Sequence, residues 1–438
     1  MTTTTPPPPQ DRPVAALDLR DDDAVATIRP PAELWSDIRL RFLSELAKRL
    51  HQYGTTTTRL EASVESLSHK LGLDTQIWSS PTGILLSFRD AKHPESSEQR
   101  VSEVLRLSPG ETNLRRLVDT DEVAEKVFHG RMSVGEGYER LRNIEPDKLK
   151  FKTTIAGFGF AAASVAAVLK SRPTDIVAAA MVGALTGLLF IASKRFAALR
   201  PGLEALAAFL STLLATLASA YIVPLSLQSV TLAAIVVFLP GLTLTTAVSE
   251  LSSQHLVSGV ARLAGALTVL LKLTFGAVAG SEVAQALHVP LRAVRPSASP
   301  LWLEGVALLC GALSYTLLLR PHKRHRWLVI GAAVLGYTSA RVGSESFGPQ
   351  FGVFFAGVVV AASANLFARI KNKPSALIRT PGILLLVPGS VGFRSLFFVF
   401  DGQVMQGINT ASSLVVLLTT LVAALLFGDL LVPPRRSL

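Results

Sequence analysis

The chain has one cysteine in 438 residues, Cys310, set inside an apolar run, so neither a disulfide framework nor a multi-cysteine metal site can form within it. Charge is scarce as well: 17% of residues are Asp, Glu, Lys or Arg, where a soluble protein carries about a quarter. The N-terminal stretch MTTTTPPPPQ lacks an apolar segment, which predicts no cleaved signal peptide. No HExxH, GxSxG or phosphate-loop pattern occurs, and His51, His69 and His129 stand alone. These absences argue against an enzyme and against a bound metal or cofactor. The net charge of +11 could suggest nucleic acid, but the basic residues cluster beside apolar runs, so a lipid bilayer is the expected partner and nucleic acid is not.

What is present is hydrophobic: 49% of residues are apolar, and the mean hydropathy is +0.41. Polarity is ordinary up to residue 150; after Phe151 charges survive mainly as short clusters between uncharged runs. That asymmetry predicts a mainly α polytopic membrane domain behind a small N-terminal α+β domain. Residues 1–31, rich in Thr and Pro and then acidic, read as a disordered tail. In 32–150, helical periodicity at Ile38, Phe42, Leu46 and Leu50, and again at Leu60, Val64, Leu67 and Leu71, is followed by alternating stretches around Thr75–Trp78, Ile84–Phe88 and Arg100–Leu107. Two more helices, near Glu111–His129 and Ser133–Arg142, complete it.

A bilayer-crossing helix needs about 20 mostly apolar residues. Such stretches fall at 153–169, 176–193, two within 205–249 separated by Tyr221–Pro224, and 255–280. A Pro-rich linker at 283–300 precedes five more, at 301–319, 327–341, 348–368, 380–400 and 406–427. The spacing thus predicts ten spans in two five-helix repeats, 151–282 and 301–432, and an odd number per repeat inverts the second relative to the first. The spans at 327–341 and 380–400 are the weakest, since each contains or abuts an arginine. Excess Lys and Arg on one side places both termini in the cytoplasm.

Pro240-Gly241 and Pro388-Gly389 interrupt apolar runs at matching places in the two halves. Each pair precedes an acidic residue, Glu250 or Asp401, and each proline lies 19 positions before a glycine, Gly259 or Gly407. Proline removes an amide donor and glycine tolerates unwinding, so such breaks expose backbone groups that suit a binding site between repeats. Thr243, Thr245, Thr246 and Ser390 follow the breaks and could add donors. Glu250 and Asp401 are candidates for an ammonium group or a coupled proton, Arg262 and Arg394 for their neutralisation. Asn409 is a candidate ligand, or simply a polar contact between helices. Glu250 also fits a second reading, the interface at which the fourth helix ends.

The chain resembles the threonine/serine exporter family. The likeness runs over about residues 35–430 and rests on the order of short segments: Tyr53-Gly54 to Glu61, Pro81-Thr82-Gly83, His129-Gly130 to Tyr138, Leu239-Pro240-Gly241, His255 to Arg262 with Ser258-Gly259, and Val387-Pro388-Gly389. The resemblance implies ten membrane helices in two related halves and proton-driven export of threonine and serine from the cytoplasm. The expectation is therefore an inner-membrane exporter of a small amino acid, compatible with a homo-oligomer. Its rivals are an exporter of a dicarboxylate or other organic anion and, from another class, a channel or a signalling receptor.

Overall fold

The computed structural model describes residues 37–90, 100–144, 150–290 and 301–434. The Thr/Pro-rich tail, most of the linker, and Lys148, Arg292, Arg295, Arg435 and Arg436 lie outside them.

An N-terminal unit forms first along the chain. Helix α1 (Ile38–Gln52) starts at Asp37, whose carboxylate accepts the Arg39 amide, and buries Leu43, Leu46, Ala47 and Leu50 along one face. Helix α2 (Thr57–Lys70) buries Leu60, Val64 and Leu67. Strands β1 (Leu73–Ser80), β2 (Gly83–Asp90) and β3 (Val101–Arg106) pair antiparallel in that order, with Ser80 opposite Gly83 across the Pro81-Thr82 turn. Alternation sends Ile84, Leu86 and Phe88 into the core shared with α1 and α2. Helices α3 (Leu114–Phe128) and α4 (Val134–Arg142) close the unit.

Twelve α-helices follow among the described residues. The first set is α5 (Phe151–Val168), α6 (Pro173–Arg195), α7 (Leu203–Tyr221), α8 (Leu227–Ala234), α9 (Gly241–Ser252) and α10 (Leu256–Ala286). The second is α11 (Leu301–Leu318), α12 (Arg326–Phe347), α13 (Pro349–Lys371), α14 (Ala376–Leu384), α15 (Gly389–Phe400) and α16 (Val404–Leu431). Packing in the first set recurs in the second: α5 on α6 as α11 on α12, α7 on α10 as α13 on α16, α6 on α8 as α12 on α14, and α9 on α10 as α15 on α16. Glycines let these helices approach closely; a Cβ on Gly276 of α10 would lie 2.1 Å from the Ala205 carbonyl oxygen of α7.

Among the described residues, seven stretches are long and apolar enough to cross a bilayer, and an eighth if α8 and α9, bent by 52°, count as one. Of the two arginine-bearing spans, 376–400 qualifies as an apolar crossing and α12 does not. Arg341 of α12 pairs with Glu304 and Glu345, so this helix carries charge at one end. Helix α11 is apolar but short.

The N-terminal unit caps one end of the bundle, called here the near end. Leu114 donates its amide to Leu319 O at 3.0 Å, and Leu114 and Val118 share a core with Tyr315, Val329 and Leu377. Lys194 pairs with Glu111, His322 with Asp119 and Lys373 with Glu122.

Candidate functional site

The two Pro-Gly pairs are 148 positions apart in sequence and meet in space. A Cβ built on Gly389 would lie 3.0 Å from Gly241 Cα and 3.1 Å from Gly241 N; one on Gly241 would lie 2.3 Å from Val387 Cγ1. Gly389 thus packs directly on backbone and Gly241 against a Val387 methyl. The prolines adopt nearly one conformation, φ −82° and ψ 41° at Pro240, φ −84° and ψ 37° at Pro388. Each starts a helix of 12 residues, about 18 Å long.

The two helices leave the crossing for opposite ends of the molecule. Helix α9 ends against the N-terminal unit, where Glu250 accepts the Thr57 amide. Helix α15 ends in the exposed turn Asp401-Gly402, and α16 returns from there to Asp429, which joins Arg379 close to the near-end core residue Leu377. Beyond the helices the correspondence persists. A Cβ on Gly259 would meet Ala247 O at 3.0 Å, and one on Gly407, again 148 positions on, would meet Ser395 O at 2.9 Å.

The side chains at the two ends differ. Glu250 is 1% exposed and is satisfied by three donors: Thr57 N–H at 3.0 Å, Ser258 Oγ at 2.7 Å and Arg262 Nε at 2.9 Å. Thr57 Oγ1 also lies 2.8 Å from Ser258 Oγ. No side chain of its own caps α2, so Glu250 supplies the acceptor its N-terminus needs. His255 extends the contact, with Nε2 3.2 Å from Glu61 Oε2, while Glu61 Oε1 accepts the Ser79 amide at 2.7 Å. Asp401 is exposed, and among the described residues its carboxylate accepts from Gln403 Nε2 at 2.8 Å.

The structure thus brings together Pro240, Gly241, Pro388 and Gly389 at the crossing, and Glu250, Ser258 and Arg262 near the N-terminal unit. Glu250 and Asp401 do not meet, and Phe398 occupies the position equivalent to Glu250. Thr245 is spent locally, donating to Gly241 O at 3.2 Å; Thr243, Thr246 and Ser390 are half-buried close to the crossing. Asn409 is exposed on α16, away from it. Arg394, half-buried on α15, has no ion pair among the described residues and lies 6.0 Å from the Phe398 ring. It stands five residues beyond Gly389, about 8 Å along the helix.

Sequence reasoning missed Thr57, although the run Thr55–Thr58 at a helix start signals amides in need of an acceptor. It also missed the aromatic trio Phe158, Phe190 and Phe238, whose ring centroids are 5.5–6.5 Å apart just ahead of the first break. Asn365 of α13 donates to Asp429 and to Val432 O, both at 2.7 Å. Asp429 also pairs with Arg379, so the three side chains form one polar cluster.

Residues 41–284 match a family described as "Putative threonine/serine exporter", and residues 304–431 one described as "Threonine/Serine exporter, ThrE". Among curated proteins, the chain is 24% identical over 392 residues to an uncharacterised protein of Schizosaccharomyces pombe, covering 86% of this chain and 45% of the relative. It is 26% identical over 370 residues to pheromone-regulated membrane protein 10 of Yarrowia lipolytica, covering 81% and 30% respectively. The chain therefore spans less than half the length of these relatives. No solved structure matches.

Proposed function

Because the chain belongs to the threonine/serine exporter family, we propose that it is a secondary carrier moving threonine, serine or a similar small amino acid out of the cytoplasm against inward proton flow. Its bundle is then ten spans in two inverted five-helix repeats, with the N-terminal unit and both termini on the cytoplasmic side of the inner membrane. The repeated packing pairs and the two helices diverging from one crossing support that topology.

The observation that carries the reading is the contact of Gly241 with Gly389. Both following helices begin there, so their first amides, which have no i−4 carbonyl within the helix, and their positive dipole ends converge between the repeats. Broken helices of this kind hold anionic substrate groups at the midplane of carriers. A substrate carboxylate at the crossing meets these amides, the hydroxyls of Thr243, Thr246 and Ser390, and the Arg394 guanidinium. Glu250 is already engaged by Arg262, so its part is to join the bundle to the N-terminal unit. Asp401, exposed at the far turn, is the carboxylate open to protons from the opposite side.

One observation favours a second reading, a dicarboxylate or other organic anion. Within the two broken helices the acid nearest the crossing in sequence is Glu250, nine residues from Gly241, or about 13 Å along the helix. A substrate ammonium at the crossing has no counter-charge from α9 or α15 nearer than that. Counterflow in proteoliposomes decides between them: labelled threonine exchanging against internal threonine, and stimulated by a proton gradient, supports the first. Succinate exchange without threonine exchange supports the second, and flux of neither solute removes both.

A further inference from the structure

Above the first break, between the N-terminal unit and the bundle, lies a cavity of about 470 Å³, within the range of small-molecule sites. Its roof is the loop Ser108–Asn113 and its floor is Phe158, Phe190 and Phe238. Phe238 stands two residues before Pro240, so the inner wall belongs to the segment that leads into the crossing.

The roof is built and held in place. Glu111 donates its amide to Gln52 O at 3.2 Å, Asn113 caps α3 by accepting the Arg116 amide at 3.1 Å, and Lys194 binds Glu111 at 2.6 Å. Gly110 packs so tightly on α1 that a Cβ would lie 1.9 Å from His51 O. The cavity is consequently preformed, and its two surfaces differ in kind. Gln52, Tyr53, Asn113 and Arg116 line the side of the N-terminal unit; Phe158, Phe190, Phe238, Leu317 and Leu318, with Arg320, line the side of the bundle. Of the charged side chains lining it, Arg116 and Arg320 are cationic, and the one carboxylate, Glu111, is already paired with Lys194.

We propose that this cavity is the portal of the transport path: a carboxylate-bearing small solute binds under Arg116 and Arg320 before it passes the aromatic floor to the crossing. This rests on the carrier reading and gives the N-terminal unit a direct part in it, since Gln52, Tyr53, the loop Ser108–Asn113 and Arg116 make about half of the lining. The positive lining selects the carboxylate. The Phe158–Phe238 contact, with ring centroids 5.6 Å apart, separates the portal from Pro240.

The test uses the full chain with Cys310→Ser, which removes the only native thiol. Flux is measured on that protein, so loss of the carrier reading shows there and nowhere else. Leu317→Cys and Val237→Cys are then added singly and labelled with a bulky, charged maleimide, with and without saturating L-threonine or succinate. Labelling at both positions, slowed several-fold by one of these solutes, supports the portal. Thiols that do not label in folded, monodisperse protein, or that label at the same rate with either solute while the parent transports it, overturn the proposal. Arg116→Gln with Arg320→Gln should abolish the protection; full protection without them contradicts the assigned carboxylate recognition.

Discussion

The two broken helices share a backbone and differ in side chains. Both start from a proline with the same dihedral angles, run 12 residues, turn, and enter a long helix whose fourth residue is a glycine pressed on the helix before it. At the near end the last turn of the helix carries the buried Glu250, which binds the N-terminal unit, while Ser252–Gln254 after it are exposed; at the far end the exposed turn carries Asp401. The shared part is what two chains need in order to cross at backbone distance. The differing part is what each end must touch, protein on one side and solvent or headgroups on the other. Repetition in this molecule therefore marks the crossing, and departures from repetition mark the partners of each end.

The largest effect should come from the buried carboxylate. Glu250→Ala leaves the buried Thr57 amide and the half-buried Arg262 without their acceptor, a loss of about 3 kcal/mol. Asp401→Ala should stay within about 0.5 kcal/mol, as exposed substitutions do. Thermal unfolding, together with limited proteolysis that reports release of the N-terminal unit, measures both; equal effects would erase the distinction between the ends.

The crossing itself comes next. Gly389→Ala drives a methyl onto Gly241 backbone, which has little room to yield, whereas Gly241→Ala meets a Val387 methyl that can turn. Both should abolish flux, with a stability cost of about 1–3 kcal/mol that is greater for Gly389→Ala. Gly265→Ala, with nothing within 4 Å of the added carbon, is the matched control and should leave both intact.

A smaller effect tests equivalence directly. Gly259→Ala and Gly407→Ala each press on a carbonyl at 3.0 and 2.9 Å, so their melting shifts should agree within experimental scatter. Unequal shifts would limit the repeat to the crossing.

The smallest effect belongs to the near end alone. Burial lowers the pKa of His51, whose Nε2 lies 3.2 Å from Ser108 O in the roof of the cavity. The unfolded chain then binds the proton more readily, so stability should fall as pH drops below about 6.5, the unperturbed value. His51→Gln should flatten that slope; His325, whose pKa is also lowered by burial, contributes the same sign and remains. Melting between pH 8 and about 5.5 checks it.

Much of the architecture was legible because it depends on local signals. The periodicities of α1 and α2, the alternation of β1 to β3 around Pro81-Thr82, and the Pro-Gly breaks all stand where they were expected. The meeting of the breaks was legible from their matched placement. The role of Glu250 was not, because its acceptor work is for Thr57, 193 positions away. Phe238 was overlooked for a similar reason: one aromatic in an apolar run carries no mark of the two partners that α5 and α6 bring to it. The charged end of α12 made its span one of the two weakest in the sequence, and the pairing of Arg341 with Glu304 is visible only in three dimensions.

The most direct test of the account is a cross-link at the crossing. In the Cys310→Ser background, Gly241→Cys and Val387→Cys place thiols on carbons 3.3 Å apart, close to the separation a disulfide requires. The account predicts near-complete oxidation to an intramolecular bond in folded, monodisperse protein, read as loss of free thiol that returns on reduction. Free thiols that persist under oxidant, or that cross-link only between molecules, would contradict it.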